Sequence, residues 1–409
     1  MYSGSKMMEI KTLTFFSNYF NHHQKALCDE WYALLGDGFT FVETEPIEGF
    51  RADMGWGEKE VPPYVLRTYT EKALHERALV LGLISDVVVM GTAPELYIEE
   101  RLSKNKLTFR YSERPLKEGF IKFFLPRLTK KYIHLHIRNR KKRLYILGAS
   151  AYTARDYKKM RSYPDKCYQF GYFPKHLTYE PQALMERKVQ KAVDPKVTTI
   201  LWEGRMLKLK RPDLVIRAAR NLKSKGYSFR VTMVGEGPER SCVERMAKRY
   251  GLLDIVTFEN FLSPDEARER MADAKIYVMT SNFLEGWGSV IYEALNAGCA
   301  VVASHACGAT PWLVKHRKTG LVFKSGSAGS LTRQLEVLLK KPELQETYGI
   351  AAYEQMHQLW NPKTAAANVL TLAKCLEEGR VCPIQEGPCS KAGYLKNNWF
   401  HEERRSDEA

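Results

Sequence analysis

From Thr198 onward the chain alternates between short β-rich runs and helical stretches, and this alternation limits the fold more than any other feature. The runs TTILWEG, SFRVTMVG, DIVTFEN, KIYVMTS, AVVASH and GLVFKS read as strands. Intervening segments such as RPDLVIRAARNLKSKG and PERSCVERMAKRYG carry apolar residues at helical spacing and end in glycine, an amphipathic helix with its stop. Strand, helix, strand repeated in this way requires a parallel sheet covered on both faces, because a parallel pair needs a crossover long enough to hold a helix.

The first half repeats the scheme less cleanly, with strands at KTLTFFS, FTFVETEP, DVVVMG, KLTFRYS and RLYILGAS and helices such as HHQKALCDEWYALLG and ELYIEERLSKN. At 409 residues the chain exceeds the size at which one core keeps growing, so two domains are expected. The expected division is a Rossmann-like domain over 1–175, a linker over 176–197, a second Rossmann-like domain over 198–355, and a crossover helix and tail over 356–409 packing back on the first domain. The linker rests on PKHLTYEPQALMERKVQKAVDPKV, which has three prolines and no clear period. The crossover rests on NPKTAAANVLTLAKCLE, with Trp399 and Phe400 as anchors of the tail on the first domain. Doubly wound domains bind ligands outside the carboxyl ends of their strands.

No run of eighteen apolar residues occurs, and the amino end reads as a short leader into the first strand, so a cytoplasmic protein is expected. The eight cysteines contain no C-x-x-C, which argues against a zinc site or a disulfide framework. A net charge of +16 points to anionic partners: nucleic acid, anionic lipid or phosphorylated small molecules.

Position begins to choose among these. In EGWGSVIYEALNAGCAVVAS, Glu285 sits on a loop after the strand KIYVMTS, with Gly286 and Gly288 allowing close backbone approach. A helix begins near Trp287 to Ser289 and carries Glu293 on the face of Ser289. Two carboxylates flanking a helix start, with its free N–H groups between them, suit one elongated anionic ligand: one acid for sugar hydroxyls, amides for a diphosphate, one acid for ribose. A capping role for Glu285 with Glu293 solvated is the plain alternative. Upstream, GRMLKLKRPD places Arg205 and Lys210 where two cations meet two phosphates, or simply stand as surface charge. VGEGPER offers Gly235 and Gly237 for a tight turn and Pro238 as a helix start.

In this order and spacing, GR-x4-K, VGxGP, EGWGSVIYEALNAGCAVVAS and KTGLVF resemble the nucleotide-binding half of the family 4 glycosyltransferases, retaining enzymes of the GT-B fold. The motifs cover Thr198 to Phe323, and the likeness extends more loosely over the chain. The resemblance implies an α/β GT-B fold, two Rossmann-like doubly wound domains facing a central cleft. It also implies transfer from a nucleoside-diphosphate sugar, a UDP-sugar first, to a glycan or lipid-linked acceptor in polysaccharide assembly. On the family's pattern Glu285, Arg205 and Lys210 are catalytic, and Gly235, Gly237, Gly286, Trp287, Gly288, Ser289 and Glu293 bind the donor. No cofactor is expected. No D-x-D occurs in the chain, so metal independence is expected, with Arg205, Lys210 and the helix start in the metal's place.

The first half is then expected to hold the acceptor. SNYFNHHQ puts Asn21, His22 and His23 after the first strand, where the family often has a glycine pair; these residues meet phosphate or acceptor hydroxyls, or start a helix and pack. FRYSERP offers Glu113 and Arg114 at the same edge, or a surface turn, and in GASAYTARDY Ser150 is the expected helix start. The segment from Phe120 to Leu147 concentrates Lys122, Arg127, Lys130, Lys131, Arg138, Arg140, Lys141, Lys142 and Arg143 among aromatic and aliphatic residues. It reads as a peripheral contact with an anionic membrane at the inner face of the plasma membrane, or as a core helix with a solvated basic face. Two other function classes stand beside the transferase: a nucleotide-sugar epimerase of the same fold, which would call for more carboxylates at the sugar, and a non-enzymatic nucleic-acid binder. The binder needs aromatics interleaved with basic residues on an open sheet, whereas these aromatics follow core periods, so no nucleic acid is expected.

Overall fold

The computed structural model describes residues 9–402 apart from 48, 50–59, 192–193 and 195–196; the expected leader, residues 1–8, lies outside the described residues. The chain forms two compact units, one from Met1–Lys175 with Leu359–Tyr394 and the other from His176–Gln358 with Leu395–Ala409.

The first unit holds a parallel sheet of β1 (Leu13–Ser17), β2 (Phe39–Glu43), β3 (Val65–Arg67), β4 (Val87–Met90), β5 (Thr108–Ser112), β6 (Leu144–Gly148) and β7 (Cys167–Gln169), in the order β3-β2-β1-β4-β5-β6-β7. In register, Phe15 of β1 lies between Phe41 of β2 and Val89 of β4, all three fully buried, as strands covered on both faces require. β3 and β7 were not legible in the sequence: each has three residues, too few to show a period, and only pairing at the sheet edges makes them strands. The helix His22–Leu35 starts where Asn21 Oδ1 accepts from His23 N at 2.9 Å, and it stops at Gly36, whose φ of 54° suits glycine. ELYIEERLSKN is not one helix but a 3₁₀ turn, Glu95–Tyr97, and a short helix, Glu99–Ser103. The helix expected from Ser150 begins at Thr153.

The second unit holds β8 (Thr198–Glu203), β9 (Phe229–Val234), β10 (Val256–Glu259), β11 (Ile276–Met279), β12 (Ala300–Ser304) and β13 (Gly320–Phe323), in the order β10-β9-β8-β11-β12-β13, all parallel. All six were legible. The helix Asp213–Ser224 buries Leu214, Val215, Ile216, Ala218, Ala219 and Leu222 against the core that Ile200, Trp202, Met233 and Val302 share. In each unit the strand order reverses once, between β1 and β4 and between β8 and β11, and the crevice at such a reversal is where doubly wound sheets take ligands.

Two expectations are corrected. The supposed linker contains the helix Pro181–Gln190, which belongs to the second unit. Its proline stands in the first turn, where the missing N–H costs nothing, and Glu180 caps it by accepting from Ala183 N at 2.8 Å. Lys188 is buried there, its Nζ donating to the carbonyls of Met271 (3.0 Å), Ala272 (3.2 Å) and Ala274 (2.8 Å) at the end of the helix Pro264–Asp273. The second correction concerns the tail. The helix Pro362–Glu377 does pack in the first unit, where Trp31 Nε1 donates to Ala366 O at 3.3 Å, and Lys391 bridges antiparallel to Tyr168 at the edge strand β7. Trp399 and Phe400, however, join the second unit: Trp399 Nε1 donates to His305 O at 3.2 Å, and the Phe400 ring lies 5.4 Å from that of His316. Two aromatic residues announce burial without saying against what. Among the described residues no helix is long and apolar enough to cross a membrane.

Candidate functional site

In the second unit the strand ends at the β8/β11 reversal bring Lys210 and Glu285 together: Lys210 Nζ lies 2.6 Å from Glu285 Oε2, which also accepts from Ser281 Oγ at 2.9 Å. Both side chains are mostly buried, at 19% and 15% exposure, so the pair is only partly screened by solvent. The loop that carries Lys210 is held to the one that carries Ser281 and Glu285, since Asn282 N donates to Leu209 O and Thr280 Oγ1 donates to Lys210 O. The sequence assigned Lys210 to a diphosphate and Glu285 to a sugar, but did not show that the two touch. Arg205, expected beside Lys210, is exposed and forms no ion pair among the described residues.

The helix Ser289–Asn296 starts next to this pair. Gly288 precedes it at a φ of 88°, with no side-chain cap on the first amides, so the positive end of the helix is open to an anion. A Cβ at Gly288 would meet Cys307 Sγ at 2.5 Å, which together with the positive φ requires glycine. Gly286 is buried and Ser289 half-buried. The Trp287 side chain is 1% exposed and packs at 6.0 Å from Trp312 in the core, so only its backbone stands in the loop, where its carbonyl accepts from Ala309 N. Burial and the nearby Glu285 charge push the Cys307 thiol up.

Gly235 and Gly237 are used for backbone packing. A Cβ at Gly235 would stand 2.2 Å from Gly204 O and one at Gly237 2.6 Å from Met206 O, so the loops after β8 and β9 lie directly on each other. Met206 N donates to Glu236 O at 2.7 Å and Glu239 N to Met206 O at 2.9 Å, closing that contact.

Glu293 is not solvated. Its carboxylate is 10% exposed and faces Arg268 on the helix Pro264–Asp273, with Nη1 to Oε1 at 3.3 Å. Glu203, the last residue of β8, is a third acid that sequence reasoning missed. Burial, then the Glu293 charge, raise its carboxyl to about 8, with Arg268 acting the other way. The available signal was a carboxylate ending an otherwise apolar strand, TTILWEG. Burial raises Glu293 as well, and Arg268 opposes this.

In the first unit Asn21 is committed to capping its helix and is 8% exposed, so its side-chain acceptor is taken. His22 and His23 follow, their rings 3.9 Å apart, and His23 stacks loosely at 6.2 Å on Tyr172, whose hydroxyl donates to Glu113 Oε1 at 3.0 Å. The structure thus brings His23 and Glu113 to one place through Tyr172, a residue the sequence did not single out. Arg114 is corrected. It is buried, with Nε and Nη2 on the two carboxylate oxygens of Asp156 at 3.1 and 3.2 Å, and its guanidinium lies over the Tyr152 ring. A buried forked pair of this kind holds both side chains in the packing of the unit.

Residues 185–355 match the family of glycosyl transferases group 1. The curated relatives include a GDP-mannose-dependent alpha-(1-6)-phosphatidylinositol monomannoside mannosyltransferase of Mycobacterium tuberculosis (strain CDC 1551 / Oshkosh), 28% identical over 42% of this chain and 46% of its own length. A D-inositol 3-phosphate glycosyltransferase of Streptomyces griseus is 33% identical over 42% of this chain and 39% of its own length. The chain therefore spans less than half of the curated relatives it matches. Among solved structures, Anabaena Alr3699/HepE in complex with UDP superimposes with a TM-score of 0.66 at 14% identity, covering 90% of this chain and 100% of that one. Sucrose-phosphate synthase from Thermosynechococcus elongatus does so with a TM-score of 0.65 at 16% identity, covering 90% and 100%.

Proposed function

We propose that this chain, which has the GT-B fold and whose residues 185–355 match the group 1 glycosyl transferases, transfers a sugar from a nucleoside-diphosphate sugar to a glycan or lipid-linked acceptor with retention of configuration. The observation that carries this reading is the Lys210–Glu285 pair at the β8/β11 reversal, beside an uncapped helix start. Breaking the bond from the anomeric carbon to the leaving phosphate develops negative charge on the phosphate and positive charge on the carbon. Lys210, Arg205 and the open amides before Ile291 meet the first, and Glu285 the second, so the charge a metal would supply is already in the protein. Glu293 receives the ribose hydroxyls. The acceptor oxygen forms the new bond to the anomeric carbon, and its proton leaves with the diphosphate.

A UDP-sugar is the first candidate donor and a GDP-sugar the second; HepE is described with UDP, and the mycobacterial relative is named for GDP-mannose. Thermal denaturation with UDP, GDP and ADP tests the reading: one of them at millimolar concentration raises Tm, because ligand bound only to the native state stabilises it by mass action. A transition unmoved by all three refutes a nucleotide donor.

The acceptor reading extends to the membrane. In the first unit Ile121 is 85% exposed, Phe124 67% and Leu125 51%, and Arg127, Lys130 and Lys131 stand exposed on the helix Pro126–Tyr132 that follows. Exposed apolar tips beside basic side chains suit an anionic lipid surface, where each charge contributes about 1 kcal/mol. Not all of the expected basic segment is free: Arg143 pairs with Glu377 at 2.8 Å, and LYIL is the buried strand β6. Cosedimentation with anionic vesicles at low salt is expected, lost on neutral vesicles or raised salt, and weakened several-fold by Phe124→Ser. Equal binding of Phe124→Ser and wild type would exclude this surface while leaving the transferase reading intact.

A further inference from the structure

The segment 395–402 is unused by the chemistry above, yet it is seated beside the loops that build the Lys210–Glu285 site. Up to Tyr394 the chain belongs to the first unit, where Cys389, Ser390 and Ala392 share backbone hydrogen bonds with the edge strand β7; from Leu395 it belongs to the second. Two anchors hold it there. Trp399 Nε1 donates to His305 O at 3.2 Å, and the Trp399 and Phe400 rings lie 6.4 and 6.2 Å from that of His305. Beyond them Glu402 meets the fork of Arg333 on the helix Ala328–Lys340, with Nε on Oε1 at 3.1 Å and Nη2 on Oε2, while Gln334 Nε2 donates to Oε1 at 3.2 Å.

Under the first anchor lies the support of the donor loop. The His305 ring meets that of Phe283 edge-on at 5.3 Å, and Phe283 stands in the turn that Glu285 N closes by donating to Asn282 O at 3.0 Å. From the same loop as His305, Cys307 Sγ and Ala309 N both donate to Trp287 O, at 2.9 and 3.0 Å, and Cys307 Sγ fills the space that a Cβ at Gly288 would need. Residues 304–309 thus buttress 283–288 through a ring contact and two hydrogen bonds. His305 itself is set between β13 and the tail: its N donates to Phe323 O at 3.0 Å, its Nδ1 accepts from Ser325 N at 2.9 Å, and its O accepts from Trp399.

We infer that the segment 395–402 is a strap that positions the donor loop: seated on His305 and pinned by Glu402, it holds 304–309 against 283–288 and so keeps Glu285 and the open amides after Gly288 in the arrangement that takes the donor. The inference rests on the reading of that loop as the donor site. The strap acts through His305 and Phe283, so it changes how often the loop is competent and not what the loop offers; without it the apparent Kd rises as the inverse of the competent fraction.

The second anchor allows a test that leaves the core and the donor loop unaltered, because Arg333 is 49% exposed and Glu402→Arg only sets two cations against each other at the surface. In titration calorimetry of the full chain with UDP and with GDP, Glu402→Arg is expected to raise the nucleotide Kd about fivefold, and Arg333→Glu combined with Glu402→Arg to restore it. Trp399→Ala, which removes the first anchor, is expected to raise Kd in the same direction. Amide exchange over 281–289 is expected to quicken in Glu402→Arg and to return to the wild-type rate in the charge-swapped chain. A segment that merely covers apolar surface would lower Tm in both single variants and leave Kd and the exchange of 281–289 unmoved; that result overturns the inference, as does a raised Kd that the charge swap fails to restore. If neither nucleotide binds wild type, the donor reading falls, and the strap is then decided by exchange alone: quickening at 281–289 in Glu402→Arg upholds it as the support of that loop, and unchanged exchange overturns it.

Discussion

Glu285→Gln is expected to lower kcat for transfer by about 10²–10³-fold while the donor KM stays within a few-fold, and Glu293→Ala to do the reverse, raising KM with little change in kcat. Glutamine keeps the outline of Glu285 and can still accept from Ser281 Oγ, but it removes the negative charge that Lys210 Nζ meets at 2.6 Å. That charge matters most when the anomeric carbon becomes positive, so its loss is felt in the transition state and hardly in the bound ground state. On the same reading the freed Lys210 would still meet the diphosphate, which would keep donor affinity from falling. On the proposed reading Glu293, paired with Arg268 at 3.3 Å, holds a ribose that is the same in ground and transition states, and such uniform binding would appear in KM. Steady-state kinetics with donor and acceptor varied separates the two. Small and equal effects of both substitutions would remove the catalytic assignment of Glu285 and the ribose assignment of Glu293 together.

Lys188→Met is expected to destabilise the second unit by about 3 kcal/mol, lowering Tm by roughly 10 °C. Methionine has nearly the length of lysine and fills its space, so the loss isolates the hydrogen bonds. Three carbonyls at the end of the helix Pro264–Asp273 lose the Nζ donor; Met271 O keeps Ala274 N and Cys299 Sγ and Ala274 O keeps Cys299 Sγ, so the loss falls hardest on Ala272 O. Neighbouring Arg187, on Asp273 at 2.7 Å and on Glu269, is nearer solvent and cannot take over those carbonyls. A Tm within about 2 °C of wild type would show that apolar packing and the Arg187 ion pairs hold the segment 181–190 to its unit without the Lys188 hydrogen bonds.

The fate of this segment shows where reading the chain stopped. PQALMERKVQ has the pattern of a short helix, but flanking prolines and a charged middle made it look like a linker. What makes it part of a domain is the burial of Leu184, Met185 and Lys188, and a buried lysine is invisible until three carbonyls converge on its nitrogen. Trp399 and Phe400 teach the same lesson from the other side, since their need to be covered was plain and their partners, His305 and His316, were not.

By itself the sequence determined the class of each unit, because a strand buried on both faces must be an apolar run and a crossover helix must carry a stripe at helical spacing; both are local patterns. It also supplied the candidates Glu285 and Lys210 at strand ends, while the observed order β10-β9-β8-β11-β12-β13 is what sets the first and fourth strands of the unit side by side at its reversal. Tertiary structure alone decided which charges are shared. Arg268 and Glu293 are far apart in the chain, and so are Arg114 and Asp156, or Glu113 and Tyr172. Whether an ionisable side chain is a site, a strut or a spare proton depends on how many opposite charges reach it out of water, and that number is set by packing between elements and by no pattern within one.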